Sequence, residues 1–546
     1  MEEYNIRVAM RDFVLNSIND YIEGYVSIYQ EDIGFMLYYP IFTIEYRFKE
    51  ETPNFERAGN DRNALSWFLG KLIKKGIDFD LEFKHTESDF KYFIANHLPK
   101  IKNLYFDFLN CEQIMDMNSI AKSQIEKIED KKYKFTLAFV DGGFRKEYLY
   151  FNGFANKAEF KKELFIKTQA SNRIVEKYRV DNKKSYRRIK RLLIDVDREL
   201  LDLCYESIEI DLNHLGGNVK SRVIRNIDEL KLIISFFYYC SIVINYSYDI
   251  GKAMGSVTSS DLLYFYDKEW IINKIVQYTG LTENRIKNYL DYFNFEGEGS
   301  LSEFPLLFHK EKVLFIASSW MLNDFQFSIV NGHYYKKKSF NNRDKTISHS
   351  VVNDIATKVQ KFSNIVVGNE VYYEFENKGR ILNSDIDVAL YDKNSNTFLI
   401  IECKWKDNHY ITVGEENYRK IHQSLNEIYK EQISKHKAFI DSDKENLSFV
   451  LENKLQTEEI ANNPDILYIS VDKRSQLYVD GNILVPSYGL LWLFELYSDN
   501  NVLHLDEVIK DLRKQKTTAI YVNISDLKEI KVNDEIIIVS DEFYSL

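Results

Sequence analysis

Apolar and polar positions follow different periods in different parts of the chain. Up to about residue 165, the Tyr- and Ile-rich pieces YVSIYQ, GFMLYY and TIEYRFK predict strands, and the glycine pair in FVDGGF predicts a hairpin turn between KFTLAFV and EYLYF. From about 166 to 300 the spacing becomes helical, as in YRRIKRLLIDVDRELLDLCYESIEI and ELKLIISFFYYCSIVI. WIINKIVQYTGLTENRIKNYLDYF predicts a helix, a glycine-containing turn and a second helix, with Thr282 placed to cap the second. FPLLFHKEKVLFIASSWML predicts a short hairpin running into a helix, and the polar HYYKKKSFNNRDK that follows predicts a loop or linker. From about 346 helical and strand patterns alternate. The expected division is a mixed region over 1–165, a mainly helical region over 166–335, and an α/β domain over 346–546.

A chain of 546 residues exceeds what one core organises, so several domains are expected. Six Pro and 21 Gly exclude a linker-like or disordered chain. The net charge of -11 provides no overall attraction to nucleic acid, so binding of that kind has to come from local basic patches. Cys111, Cys204, Cys240 and Cys403 show no zinc spacing, and a chain this long needs no disulfide staples. They predict reduced thiols and a cytoplasmic protein. MEEYNIRVAMRDF lacks the apolar core of a signal peptide. The most apolar run, LIISFFYYCSIVI (232–244), is too short to span a bilayer and predicts a buried helix. No phosphate-binding glycine loop and no His-Glu-x-x-His spacing appears, so ATP hydrolysis would have to come from a partner ATPase.

The densest chemistry lies in SDIDVALYDKNSNTFLIIECKW, from Ser384 to Trp405. It predicts two strands around the polar turn DKNSN. Alternation puts Asp385 and Asp387 on one face of the first strand, and Glu402 and Lys404 on one face of the second. A turn centred between Asn394 and Ser395 sets Asp387 opposite Glu402 and Asp385 opposite Lys404. The other face then carries Ile386, Val388 and Leu390 against Cys403, Ile401 and Leu399. A slip of one residue would scatter the charges. Leu399-Ile400-Ile401 predicts a strand buried on both faces, where charges are costly unless paired or metal-bound. Two carboxylates at a strand end, with the Cys403 carbonyl, form a hard oxygen set suited to Mg²⁺ or Mn²⁺. Lys404 beside them can orient a water or offset charge on a phosphate.

Asp387 followed by Glu402-Cys403-Lys404 on the next strand resembles the motif of the PD-(D/E)xK nuclease superfamily. The surroundings are similar too: a helix near 348–362, the strand IVVGNEVYYEF, the two motif strands, a long helix near 415–439 and the strand DILYISVD. The resemblance covers roughly 346–500 and implies a restriction-endonuclease-like core, a mixed sheet flanked by helices, behind a larger α+β and helical N-terminal region. It implies Asp387 and Glu402 as metal ligands and Lys404 as the catalytic lysine. Gln432, with His436 four residues on, is the better match to the family's helix residue, and Gln423 the second. Asp354 matches an acidic residue that some members place on the first helix, and Glu370 is a further option. His436 by itself predicts a surface or packing residue.

Basic stretches suggest where nucleic acid would lie. Arg173 to Arg191 holds nine Lys or Arg and two acids, with Lys184, Arg187, Arg188 and Arg191 on one helical side. A solvated helix face is the preferred reading of that stripe. Lys336, Lys337 and Lys338 precede the α/β domain beside Tyr334 and Tyr335, a pairing suited to guiding a strand. The helix-turn-helix piece has few basic residues in its second helix and predicts packing rather than groove reading. The resemblance implies an endonuclease acting on DNA, with RNA as the other candidate, in restriction or anti-phage defence. A homo-oligomer would be needed to cut both strands, and no membrane partner is expected. The rival expectations are a nucleic-acid sensor that grips without cutting, and a structural subunit of a larger complex.

Overall fold

The computed structural model describes residues 2–543 except 50–54, 78–85, 116, 118–121, 142–157, 180–187, 214–222, 256–263, most of 322–342, 405–414, 473–476, 517, 522–526 and 541–542. Helix α1 (Glu2–Tyr29) turns one face inward through Ile6, Met10, Val14, Ile18, Ile22 and Tyr25, a stripe three or four residues apart. A π-helical turn over Gly34–Tyr38 leads into α2 (Tyr39–Arg47). The three pieces expected as strands at the start of the chain are therefore helical. From Ile33 to Glu45 every residue is buried, so the segment shows neither helical nor strand periodicity. Helices α3 (Phe55–Lys74) and α4 (Leu98–Ile114) complete this layer.

Strands β1 (Gln124–Glu129) and β2 (Lys132–Thr136) form a hairpin, and β3 (Ala138–Asp141) follows. The hairpin turn expected in FVDGGF lies outside the described residues beyond Asp141. A helical group comes next: α5 (Ala158–Lys177), α6 (Arg198–Asn213) and α7 (Ile227–Ala253). The apolar run 232–244 is buried within α7, and no helix among the described residues is long and apolar enough to cross a membrane. After β4 (Tyr264–Asp267), α8 (Lys268–Thr279) ends at Gly280 with φ 71°. That left-handed cap suits glycine. Helix α9 (Glu283–Phe293) begins after Thr282, whose side chain makes no capping hydrogen bond. Arg285 on α9 instead binds Glu229 of α7 and the Val223 carbonyl, so this helix pair is a packing unit.

Strands β5 (Leu306–His309) and β6 (Lys312–Phe315) join β4 in the order β4-β6-β5. Leu306, Val313 and Phe315 face the core of α5–α9, while Leu307 and Leu314 face the core of α1–α4. This small sheet is a wall common to both N-terminal cores. Helix α10 (Ala317–Met321) follows, and its Ser318 N–H and hydroxyl both donate to Glu45 of α2, at 3.2 and 2.7 Å. Burial pushes the Glu45 carboxyl up to about 7, against the opposing effect of Ser318. The folded state thus holds its proton more tightly than the unfolded chain, and the associated stability is lost as pH rises from about 4.5 through 7. That window corresponds to roughly 3 kcal/mol. Glu45→Gln should flatten this loss, and thermal melts of both proteins at pH 5 and pH 8 check it.

Helix α11 (Arg343–Val359) opens the C-terminal unit. Its sheet contains β7 (Ile365–Asn377), β8 (Arg380–Asp392), β9 (Thr397–Lys404), β10 (Asp465–Asp472), β11 (Leu477–Val479) and β12 (Asn482–Pro486). Between β9 and β10 run α12 (Glu415–Ile428), a π-helical turn over Tyr429–Ile433, and α13 (Ser434–Ser442). Two helices follow β12: α14 (Ser487–Leu496) and α15 (Leu505–Lys514). The strand order is β11-β12-β10-β9-β8-β7. β7, β8 and β9 are antiparallel neighbours, and β9, β10 and β12 run parallel. This is a mixed α/β unit with helices on both faces. Val388, Leu390, Leu399, Ile401 and Cys403 pack with α11, α14 and α15, and Ala389, Tyr391, Phe398 and Ile400 pack with α13.

Gly368 on β7 runs against the turn at Val450, where an added Cβ would lie 1.9 Å from the Val450 carbonyl oxygen. Neither backbone can yield without moving the sheet or the turn. Gly368→Ala should therefore cost about 1–3 kcal/mol or more, read as a lower urea midpoint.

The chain does not end in this sheet. β13 (Thr518–Tyr521) pairs with β3, β14 (Lys528–Lys531) with β15 (Ile537–Ser540), and β15 runs parallel to β2. The α/β unit expected over 346–546 thus gives its last strands to the N-terminal region.

Candidate active site

The hairpin register is the expected one: Leu390 pairs with Leu399, Ala389 with Ile400 and Val388 with Ile401. The next positions in that register are Asp387 and Glu402, but the ladder ends before them. The Asp387 carboxylate takes over the pairing, its Oδ2 accepting the Cys403 N–H at 2.6 Å. The two strands part here, and the alternation of β8 changes with them. Ile386, expected on the face of Val388 and Leu390, packs on the opposite face with Tyr373 and Ile400. On its other side β9 stays paired with β10 as far as Lys404, with Ser470 beside Glu402 and Asp472 beside Lys404. Glu402 and Lys404 therefore stand on a fixed backbone.

Glu402 is 2% exposed and each of its oxygens has a donor. Lys404 Nζ lies 2.7 Å from Oε1, and His436 Nε2 lies 3.1 Å from Oε2. Lys404 keeps partial access to solvent, whereas His436 is fully buried. Burial raises the Asp387 carboxyl to about 8, and the charge of Glu402 adds to the rise while Lys404 opposes it. Burial acts to depress the Lys404 ammonium, but the charges of Glu402, Asp387 and Asp385 outweigh it and hold the group above its usual value. Burial likewise pushes the Cys403 thiol up, with Asp387 and Glu402 adding to it.

Among the described residues, no three His, Cys, Asp or Glu side chains gather closely enough to hold a metal ion. Asp387 and Glu402 contribute two carboxylates, and Cys403 can offer only its carbonyl, because its thiol is buried in the core beneath α11. That set still fits Mg²⁺, which binds through one or two carboxylates and completes its shell with water and substrate phosphate. The crowding of two buried carboxylates that raises Asp387 is also what a divalent cation would relieve. Asp354 is not part of the set. It sits on α11, and its charge reaches the Cys403 thiol from the far side of the strand. Glu370 lies on β7 with φ 51° and pairs with His349 on α11.

Gln432 falls in the π-helical turn, partly buried, and its backbone carbonyl accepts the Ser434 N–H. Such turns often mark functional positions in helices. Tyr429 anchors this one, donating to the Tyr468 and Ile483 carbonyls and accepting the Ile483 N–H. Gln423 is exposed and bonded to Glu427. His436 was expected at the surface or in packing, and it is instead a buried hydrogen-bonding partner of Glu402. The missed signal was its place on the apolar stripe of Ile433, Phe439 and Ile440.

Of the basic candidates, the described Arg188, Arg191 and Lys336 stand away from this site. Lys184, Arg187, Lys337 and Lys338 lie outside the described residues. Arg188 covers the Tyr178 ring at 5.9 Å, and Arg191 is exposed nearby in the helical region. Lys336 is engaged by the Asn294 carbonyl at 3.1 Å, Glu296 at 2.7 Å and the Phe304 ring, a structural attachment. No family model, curated protein or solved structure matches the chain.

Proposed function

We propose that the protein is a metal-dependent nuclease that hydrolyses phosphodiester bonds of DNA, an effector of restriction or anti-phage defence. The observation that carries this reading is the placement of Asp387, Glu402 and Lys404 where β8 and β9 part. Asp387 and Glu402 would hold Mg²⁺ or Mn²⁺, which when bound lowers the pKa of a water and offsets charge on the phosphate. Lys404, partly exposed and pinned by Glu402, presents a fixed ammonium toward the scissile phosphate. The preference for DNA over RNA rests on the PD-(D/E)xK resemblance. One such site cuts one strand at a time, so double-strand cleavage would take two copies.

A second reading, a sensor that grips nucleic acid without cutting, is favoured by one feature. Both Glu402 oxygens already have donors in Lys404 and His436, so the carboxylate is satisfied without a cation. The two readings separate in one assay. Linear, supercoiled and single-stranded DNA and RNA are incubated with Mg²⁺, Mn²⁺ or EDTA. Metal-dependent cutting lost in Lys404→Ala supports the nuclease, and retention of nucleic acid without cutting under every condition supports the sensor.

A further inference from the structure

The buried polar groups behind Glu402 form a single hydrogen-bonded chain. His436 Nε2 lies 3.1 Å from Glu402 Oε2, and His436 Nδ1 lies 2.7 Å from the Tyr373 hydroxyl. Ser384 is the cross-strand neighbour of Tyr373 between β7 and β8. An ionised carboxylate only accepts, so the imidazole proton belongs on Nε2. In a neutral imidazole Nδ1 is then an acceptor and takes the Tyr373 proton. Every donor in the chain points toward Glu402. The Tyr373 ring is stacked on Phe439 at 4.1 Å, so neither the phenol nor the helix carrying His436 turns freely.

We propose that His436 and Tyr373 are positioning residues for Glu402, an inference that rests on the nuclease reading of the site. Tyr373 selects the imidazole tautomer, and the imidazole fixes the Oε2 side of the carboxylate while Lys404 fixes the Oε1 side. The plane of the carboxylate is thereby set before any ion or phosphate arrives. Neither residue touches the reacting atoms. Partners of this kind orient the ligand they bond and typically change metal affinity about 10–100-fold when removed.

The test is Mn²⁺ calorimetry on the full chain, with cleavage rates in parallel, for His436→Gln, His436→Asn and Tyr373→Phe. The Gln amide reaches the position of the imidazole Nε2, and the shorter Asn amide reaches only that of Nδ1. If His436 positions Glu402, Gln keeps Mn²⁺ affinity within about threefold of the wild type and Asn loses about tenfold or more. Tyr373→Phe, which removes one hydroxyl and keeps the stacked ring, falls between them. Equal affinities for Gln and Asn would mean that His436 only fills space, and would overturn the proposal even if the protein cuts DNA. If the wild type neither binds Mn²⁺ nor cuts, the nuclease reading fails, and a double-mutant cycle of His436→Asn with Glu402→Gln decides. Additive effects on the unfolding constant overturn the chain of contacts, and a coupling of about fivefold or more keeps it.

Discussion

Glu402→Ala lowers the cleavage rate by about 10²–10³-fold or more, the scale expected when one preorganised charged group is taken from a water-excluded site. The substitution removes a carboxylate proposed to bind metal and the anchor of Lys404 together, since Nζ sits 2.7 Å from Oε1. It also leaves the His436 N–H buried without an acceptor, which costs about 1–3 kcal/mol of stability. Glu402→Gln is the milder companion, because it loses the charge, keeps the side-chain shape and keeps one acceptor oxygen for one of the two neighbours. Rates for both variants are read beside circular-dichroism melts. If folded Glu402→Gln cuts within tenfold of the wild type, Glu402 is not in the catalytic machinery.

Asp387→Asn has the opposite sign for stability. Asp387 is buried beside a second carboxylate, and together they raise it to about 8. Its structural task is to accept the Cys403 N–H, which an amide oxygen does as well. Asn should thus melt higher, by about 1–2 kcal/mol, the usual gain when a functional site gives up its strain. It should also lose nearly all cleavage, because one of two hard ligands has gone. A carboxyl held above its unfolded value favours folding at low pH and loses that contribution as pH rises through about 8. The advantage of Asn is therefore small at pH 5 and largest at pH 8–9. A variant that melts lower than the wild type at pH 8 would show that Asp387 is paired favourably rather than crowded.

The C-terminal unit was legible because its strands obey strong rules. DKNSN is a polar turn, and a slip of one residue would have scattered the charges to opposite faces, so Val388 pairs with Ile401 as the alternation requires. Helix α11, the strands β7 to β10 and the long helix between β9 and β10 fall close to where the pattern places them. What the alternation could not show was Ile386, because its face depends on the Asp387 side chain replacing a backbone partner. The opening of the chain was misread for a different reason. Ile33 to Glu45 is buried on every side, so propensity was left to decide, and Tyr and Ile favour strands. In α1 the four-residue spacing from Ile6 to Ile22 was available and outweighs the local composition of YVSIYQ. His436 was hidden because its partners, Tyr373 and Glu402, come from two strands far away in sequence.

The return of β13–β15 to β2 and β3 makes the six-stranded unit a guest threaded through its host. Both ends of the guest are tied to the same body, so it cannot swing about a single tether. Synthesis order also follows. The guest is made before the strands that finish the host sheet, and β2 has to wait about four hundred residues for β15. Pairings that distant in sequence form slowly. A nascent chain therefore holds the strands of the guest while its host sheet is still open, and the host closes after its guest.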